Sequence, residues 1–258
     1  MNYYNDYVTF FTDWKEEKMS SLWISERIYA ESKQEYKEMI DLPWQDVCEE
    51  ELFSGVRVYS QHPAPEMSEK IPTTGSGIGM WYDKIYYFPP DGLPNMAGAE
   101  IASEFYVEYH LLKEVVEELY AKREIWGAHL AAFSEFRPLE QDHIPLSPGK
   151  NQQVYSVHFT WHHDFDGVYQ SVKEVQKILK KFDYRVHWGK FFHPEPDFAL
   201  FATFEDDLEL LKAKIDVYEN NKFKNCWVER ILYGYDECTL DSNYERNLQR
   251  MHAKYGKD

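Results

Sequence analysis

The chain has 258 residues, with 28 Lys and Arg against 45 Asp and Glu, and a formal net charge of −17 at pH 7. This charge argues against DNA, RNA and anionic membrane surfaces as partners, because they need clusters of basic side chains. No apolar run approaches the roughly 20 residues that span a bilayer, and the polar start Met1–Asp6 is not typical of a signal peptide. Three cysteines without metal-ligand spacing predict a cytoplasmic protein with no metal site.

The first predicted unit is strand, helix, strand. It comprises a strand over Tyr7–Phe11, a helix from about Trp14 and a strand over Leu22–Ser25. Asp13 and Glu16 have the spacing of a capping box, which favours a helix start at this point.

An irregular insertion follows over residues 41–94. It contains seven prolines and two hairpin-like strands, Met80–Tyr82 and Ile85–Phe88. The glycine-rich piece Gly75–Gly79 lacks the GxGxxG spacing, and no predicted helix follows it. It therefore does not indicate a nucleotide site.

Two further strand–helix–strand units follow, and apolar residues spaced i, i+3 and i+4 mark their helices. The second unit comprises strand Ile101–Val107, helix Leu112–Ala121 and strand Gly127–Arg137. The third comprises strand Val154–Trp161, helix Val168–Lys181 and strand Tyr184–Trp188. These units predict an α+β fold, with a mixed or antiparallel sheet and helices on one face.

The C-terminal part is predicted to be helical. One helix covers Glu205–Tyr218 after a possible capping box at Thr203 and Asp206, and a polar helix covers Tyr244–Ala253. We expect residues 1–258 to form a single domain that ends in a tail over residues 233–258.

Polar side chains fall on one face of the predicted strands. In Val154–Trp161 the alternation puts His158 and Thr160 on the face opposite the aromatic residues. Glu135 and Arg137 likewise share a face. Taken singly, a strand histidine or a Glu-x-Arg pair is more typical of a wet sheet surface than of a catalytic site.

Six segments, in this order, resemble the substrate (cap) domain of the FAD-dependent alditol and xylitol oxidases, which are vanillyl-alcohol-oxidase-like flavoproteins related to the D-arabinono-1,4-lactone oxidases. The resemblance covers roughly residues 7–232. The segments are Phe11–Trp14, Ser103–Val107, Ser134–Arg137, His158–Trp161, His187–Lys190 and Lys222–Asn225.

The resemblance implies a cofactor and a partner. In that family an N-terminal half binds FAD and a C-terminal half caps the flavin. This chain resembles only the cap half, so we expect the FAD-binding domain to be absent from it and to come from another domain or chain. The implied reaction is oxidation of a primary alcohol of a polyol, with hydride transfer to the flavin and O2 as the acceptor that yields H2O2.

The resemblance also implies a role for each candidate residue. His158 and Lys190 would act at the reacting hydroxyl as the catalytic pair. Other side chains would bind the remaining hydroxyls of a polyol or sugar-derived substrate: Glu135, Arg137 and Thr160. Contact with the cofactor would come from His187 and Asn225.

Two alternatives remain open at this point. The domain could belong to an aldonolactone oxidase, or it could be a non-catalytic binding module derived from the cap. Retention of His158, Lys190, Glu135 and Arg137 together favours an enzyme. We also expect the face that carries these four residues to be exposed in the isolated domain, which would favour self-association or a partner.

Overall fold

A computed structural model describes residues 7–16, 21–25, 27, 29–40, 100–193, 199–218 and 223–233. The predicted insertion 41–94 and the predicted helix Tyr244–Ala253 lie outside these residues. The strands are β1 Tyr7–Thr12, β2 Ser21–Ser25, β3 Glu100–Glu108, β4 Leu130–Leu139, β5 Val154–His162 and β6 Arg185–Val186. The α-helices are α1 Lys33–Ile40, α2 Leu112–Ala121, α3 Arg123–Trp126, α4 Phe165–Leu179, α5 Ala199–Val217 and α6 Cys226–Tyr233.

The strands form one sheet in the order β2-β1-β4-β5-β3-β6. The pairs β1–β2, β1–β4 and β3–β6 are antiparallel. This sheet with its helices confirms the predicted α+β fold. The described residues fall into two compact units, the first within residues 1–100 together with Ala132–Arg137, and the second within Ile101–Ala131 and residues 138–258.

The first unit is built on the β1 strand. Residues Tyr7–Phe11 pair with β2, and Phe10–Thr12 pair with Ser134–Phe136 of β4. Phe11 is fully buried and packs edge-on against Phe133, with ring centroids 5.4 Å apart. Aromatic packing between neighbouring strands therefore stabilises this unit.

The helix predicted from Trp14 is wrong at residues 14–16, which form a bend. Trp14 has a φ of 59°, and its N–H donates to Thr12 Oγ1 over 3.1 Å. Asp13 Oδ1 accepts the N–H of Lys15 over 3.1 Å and so closes a turn instead of capping a helix. Because this unit lacks the helix at its predicted start, a repeated strand–helix–strand unit is not confirmed.

In the second unit, β3 and β5 share a helix-covered face. Trp161 Nε1 donates to Ser103 Oγ over 2.8 Å, and the rings of Phe159 and Phe105 lie 6.4 Å apart. These contacts run in opposite directions along the two strands, so β3 and β5 are antiparallel. Trp126 packs edge-on against Phe159 at 5.3 Å and joins the sheet to the helices.

The helices of the second unit bury the apolar stripes that the sequence predicts. Helix α2 has the predicted bounds and buries Val115 and Leu119, and α4 buries Val168, Val172 and Val175. Asp164 caps α4 by accepting the N–H of Gly167, so this helix begins three residues earlier than predicted.

Three further elements differ from the predicted bounds. Strand β4 begins at Leu130, three residues later than predicted, because Gly127–His129 form a 3-10 helix. Helix α5 begins at Ala199, and its non-helical residue Phe204 (φ −124°, ψ 18°) lies directly before the predicted start at Glu205. Strand β6 has only two residues, Arg185 and Val186, because a turn interrupts it.

Candidate functional site

The side of β3 and β5 that points away from the helix-covered contacts carries polar groups. Alternation puts Glu104 and Tyr106 of β3 on this side, together with His158 and Thr160 of β5. The N–H of Tyr109 donates to Gln153 O over 3.0 Å just beyond the strand ends, and continued along the antiparallel pair this register places His158 across from Glu104 and Thr160 at the diagonal position. We call these four side chains, together with that of Lys190, the β3–β5 polar face.

A turn after β6 brings Lys190 to this face. The N–H of His187 donates to Glu104 O over 3.0 Å, and the N–H of Lys190 donates to His187 O over 3.1 Å. The N–H of Phe191 then donates to Ala102 O over 2.9 Å, so the chain returns to β3 after the turn. The ammonium Nζ of Lys190 lies 2.5 Å from Glu104 Oε2.

The polar face is largely covered. Glu104 is 6% exposed and His158 is 8% exposed, while the Lys190 side chain is 25% exposed. The expectation of an exposed face is therefore wrong for His158, and likewise for Glu135, which is 7% exposed. A buried carboxylate is stable when a cation pairs with it, as Lys190 does here.

The Glu135 and Arg137 side chains belong to the first unit. Arg137 Nη2 lies 3.5 Å from Glu135 Oε2, and Glu135 is buried while Arg137 is half-buried. Strand alternation thus puts both groups on one side of β4, as the sequence predicts. Convergence of this pair with His158 and Lys190 stays a prediction.

The two residues that the resemblance assigns to the cofactor have defined contacts within the chain. The ring of His187 stacks on Tyr106 at 6.5 Å, and its Nδ1 accepts the N–H of Gly189 over 3.1 Å. Asn225 Oδ1 accepts the N–H of Val228 over 2.9 Å and caps the start of α6. A contact of His187 or Asn225 with the cofactor stays a prediction.

The sequence interpretation did not select Glu104, although a signal for it exists. The tripeptide Ser-Glu-Phe occurs at Ser103–Phe105 and again at Ser134–Phe136, and only the second glutamate was chosen. Alternation in β3 puts Glu104 opposite the face of Ser103 and Phe105, as it does for His158 in β5. The repeated tripeptide could therefore have identified this carboxylate.

Two helix N-termini among the described residues offer no open phosphate site. Phosphates bind well at helix N-termini with open N–H groups, whereas Asp164 and Asn225 already cap α4 and α6.

Within the same described ranges, no three His, Cys, Asp or Glu side chains are grouped to hold a metal ion. No α-helix in this part of the chain combines the length and apolar character needed to cross a membrane.

An α+β domain with a covered face of imidazole, hydroxyl and an ammonium–carboxylate pair is suited to binding a polar substrate. Residues 99–231 match the D-arabinono-1,4-lactone oxidase family, and the chain belongs to that family. This match covers five of the six segments that carry the resemblance, all but Phe11–Trp14, and confirms the resemblance to this family.

One curated relative extends the comparison beyond those residues. The chain is 27% identical over 230 residues to alditol oxidase from Streptomyces sp. (strain IKD472 / FERM P-14339). The alignment covers 88% of this chain and 50% of that protein, so the chain spans about half the length of this relative.

Proposed function

We propose that the chain is the substrate-binding and flavin-capping part of an FAD-dependent oxidase that oxidises a primary hydroxyl group of a polyol. The observation that carries the proposal is the covered Lys190–Glu104 pair on the same face as His158. A catalytic site of this kind needs a proton acceptor and a fixed positive charge next to one hydroxyl.

His158 takes the proton of the reacting hydroxyl at a ring nitrogen. Imidazole suits this task because its ordinary pKa of about 6.5 lies close to neutral pH. Loss of the proton raises electron density on the oxygen, which favours departure of a hydride from the attached carbon. FAD, when bound, supplies the acceptor for that hydride and its two electrons.

Lys190 stabilises the negative charge that develops on the substrate oxygen. Its ammonium is three-quarters buried, and a charge in such a site acts more strongly than one in open water. Because Glu104 neutralises the ammonium in the resting protein, the cation is tolerated at this covered face.

The remaining hydroxyls of the substrate need both donors and acceptors. Thr160 offers a hydroxyl on the same face as Glu104, and the resemblance assigns the Glu135 carboxylate and the Arg137 guanidinium to further hydroxyls. A set that combines these groups favours a polyol over an apolar alcohol, since an apolar ligand would leave buried polar groups unpaired.

A lactone is the second candidate substrate, because the matched family is described as D-arabinono-1,4-lactone oxidase. The same proton acceptor and cation can act on a ring hydroxyl of an aldonolactone. In either case we expect the FAD to be held by another domain or chain, as the resemblance to the cap half of the family implies.

The proposal is tested with protein purified from its native source, so that any FAD-binding partner is retained, and supplied with FAD. We expect H2O2 formation with xylitol or with D-arabinono-1,4-lactone, and the preferred compound identifies the substrate class. His158→Gln lowers kcat/KM by about 10²- to 10⁴-fold, the usual contribution of a general base.

His143→Gln is the matched control. This exposed histidine contacts Asn151 in the β4–β5 loop and should retain wild-type activity. Absence of H2O2 with both compounds, or equal activity of His158→Gln and wild type, contradicts the proposed function and leaves the binding-module alternative.

A further inference from the structure

Two copies of one tripeptide have the same local structure in the two units. Ser103–Phe105 and Ser134–Phe136 both have the sequence Ser-Glu-Phe. Each serine Oγ accepts a buried indole N–H, from Trp161 over 2.8 Å and from Trp14 over 2.7 Å. Each phenylalanine is fully buried. These shared contacts fix the side of the strand on which the serine and the phenylalanine lie. The glutamate between them therefore points to the opposite side.

The two central glutamates also share a chemical state. Both are more than nine-tenths buried, and each has a cation beside it. Glu135 has Arg137 two residues later at 3.5 Å, whereas Glu104 has Lys190, 86 residues away, at 2.5 Å. The second pairing therefore depends on the turn that follows β6.

The Glu104 contact restricts a side chain that is otherwise flexible. Lysine carries its charge on a four-carbon stem with many rotamers, and a fixed carboxylate at 2.5 Å selects the rotamers that place Nζ over β3. An ammonium has three N–H donors. Engagement of one donor by Glu104 directs the others along the β3–β5 polar face, where Thr160 and His158 lie.

We propose that Glu104 is a positioning residue, which holds the Lys190 ammonium at the place where negative charge develops on the substrate oxygen. This inference rests on the proposed function. Glu104 acts through Lys190, so its loss should lower kcat far more than it changes KM, because charge on the oxygen develops only in the transition state.

The kinetic test compares Glu104→Gln, Glu104→Asp, Lys190→Met and the Glu104→Gln/Lys190→Met double variant in the FAD-supplied enzyme. We expect Glu104→Gln to lower kcat by about 10²-fold, a loss typical of a displaced transition-state donor. Glu104→Asp should recover part of that loss. The double variant should be no slower than Lys190→Met, since both changes remove one function.

A second ion pair in the chain is the matched control. Lys150 Nζ lies 2.7 Å from Asp207 Oδ1, and the side chains are 25% and 8% exposed, close to the values for Lys190 and Glu104. Asp207→Asn removes a pair of the same geometry and burial. We expect it to lower the free energy of unfolding to a similar degree while kcat remains at the wild-type value.

A chemical readout needs no oxidase activity. Acetic anhydride labels free amines, and mass spectrometry gives the labelling rate of each lysine. Glu104→Gln should raise the rate for Lys190 severalfold and leave that for Lys150 unchanged. Asp207→Asn should do the reverse.

Three results overturn the inference: an unchanged kcat in Glu104→Gln, an equal loss of kcat in Asp207→Asn, or an unchanged labelling rate of Lys190 in Glu104→Gln. Failure of the proposed function gives a different pattern, in which wild-type protein oxidises neither xylitol nor D-arabinono-1,4-lactone. In that case the predicted effect of Glu104 on kcat is wrong as well, and the labelling rate of Lys190 alone shows whether Glu104 holds the ammonium.

Discussion

The indole N–H of Trp161 donates to the hydroxyl of Ser103 over 2.8 Å, and both side chains are fully buried. This bond joins β5 to β3 and fixes which residues of both strands face the helices. The Trp161–Ser103 bond therefore also decides which side chains of the two strands form the β3–β5 polar face.

Loss of this acceptor should destabilise the fold. Ser103→Ala leaves a buried indole N–H without an acceptor, and we expect the free energy of unfolding to fall by about 1–3 kcal/mol. Ser156→Ala is the control, because this serine is also fully buried and its Oγ has no hydrogen-bond partner among the described residues. Urea unfolding measures both variants, and equal losses would contradict the importance of the Ser103–Trp161 bond.

A side chain at Gly167 would meet the side chains of His129 and Asp164. A Cβ at this position would be 2.2 Å from His129 Cε1 and 2.4 Å from Asp164 Oδ2. Gly167→Ala must displace the His129–Asp164 pair, so we expect a loss of about 1–3 kcal/mol in the free energy of unfolding. At Gly127 a Cβ would have no atom within 4 Å, and thermal unfolding should show that Gly127→Ala is tolerated. A tolerated Gly167→Ala would contradict the packing described at the start of α4.

Asp207 should make stability sensitive to acid. Burial alone would raise the pKa of this carboxyl, but hydrogen bonds from Lys150 and the Leu146 N–H outweigh it and hold the pKa below its ordinary value of 3.8. Its contribution to stability is therefore present above about pH 4 and is lost as the pH falls through the lower pKa of the folded state.

The measurement is urea unfolding of Asp207→Asn and wild type at pH 7 and at pH 3. We expect the variant to be less stable at pH 7 and the difference to shrink at pH 3. The neighbouring exposed Asp206 provides the control, since Asp206→Asn should leave the curve unchanged at both pH values. A difference between Asp207→Asn and wild type that is the same at both pH values would show that the ionised carboxylate contributes nothing.

Thr160 should contribute to substrate binding through its hydroxyl. Thr160→Val keeps the shape and removes the hydroxyl, so we expect KM for the preferred substrate to rise by about 10-fold, the value of one lost hydrogen bond. Thr160→Ser retains the hydroxyl and should remain within a few-fold of wild type. A normal KM in Thr160→Val would place the substrate hydroxyls elsewhere.

The sequence predicts the elements whose pattern is strong and local. The bounds of α2 and the alternation in β5 follow from apolar periodicity, which depends only on neighbouring residues. The helix predicted at Trp14 failed because Thr12 and Asp13 use their side chains to close a turn, a competition that capping-box spacing alone does not reveal.

The candidate site was predictable only in part. His158 and Lys190 stand out from resemblance and alternation, but the Glu104–Lys190 pair joins residues 86 positions apart. Its detection needs the position of the turn His187–Lys190 on β3. That position depends on backbone bonds from His187 and Phe191 to Glu104 and Ala102, and the sequence does not specify them.

A crystal structure with bound xylitol tests the central claim most directly, and D-arabinono-1,4-lactone serves as the second ligand. The account predicts electron density on the β3–β5 polar face, with one hydroxyl within hydrogen-bond distance of both His158 and Lys190 Nζ. The contradicting result is an empty polar face with ligand bound only elsewhere. One such place is the open groove lined by Glu108, Tyr109 and Gln152.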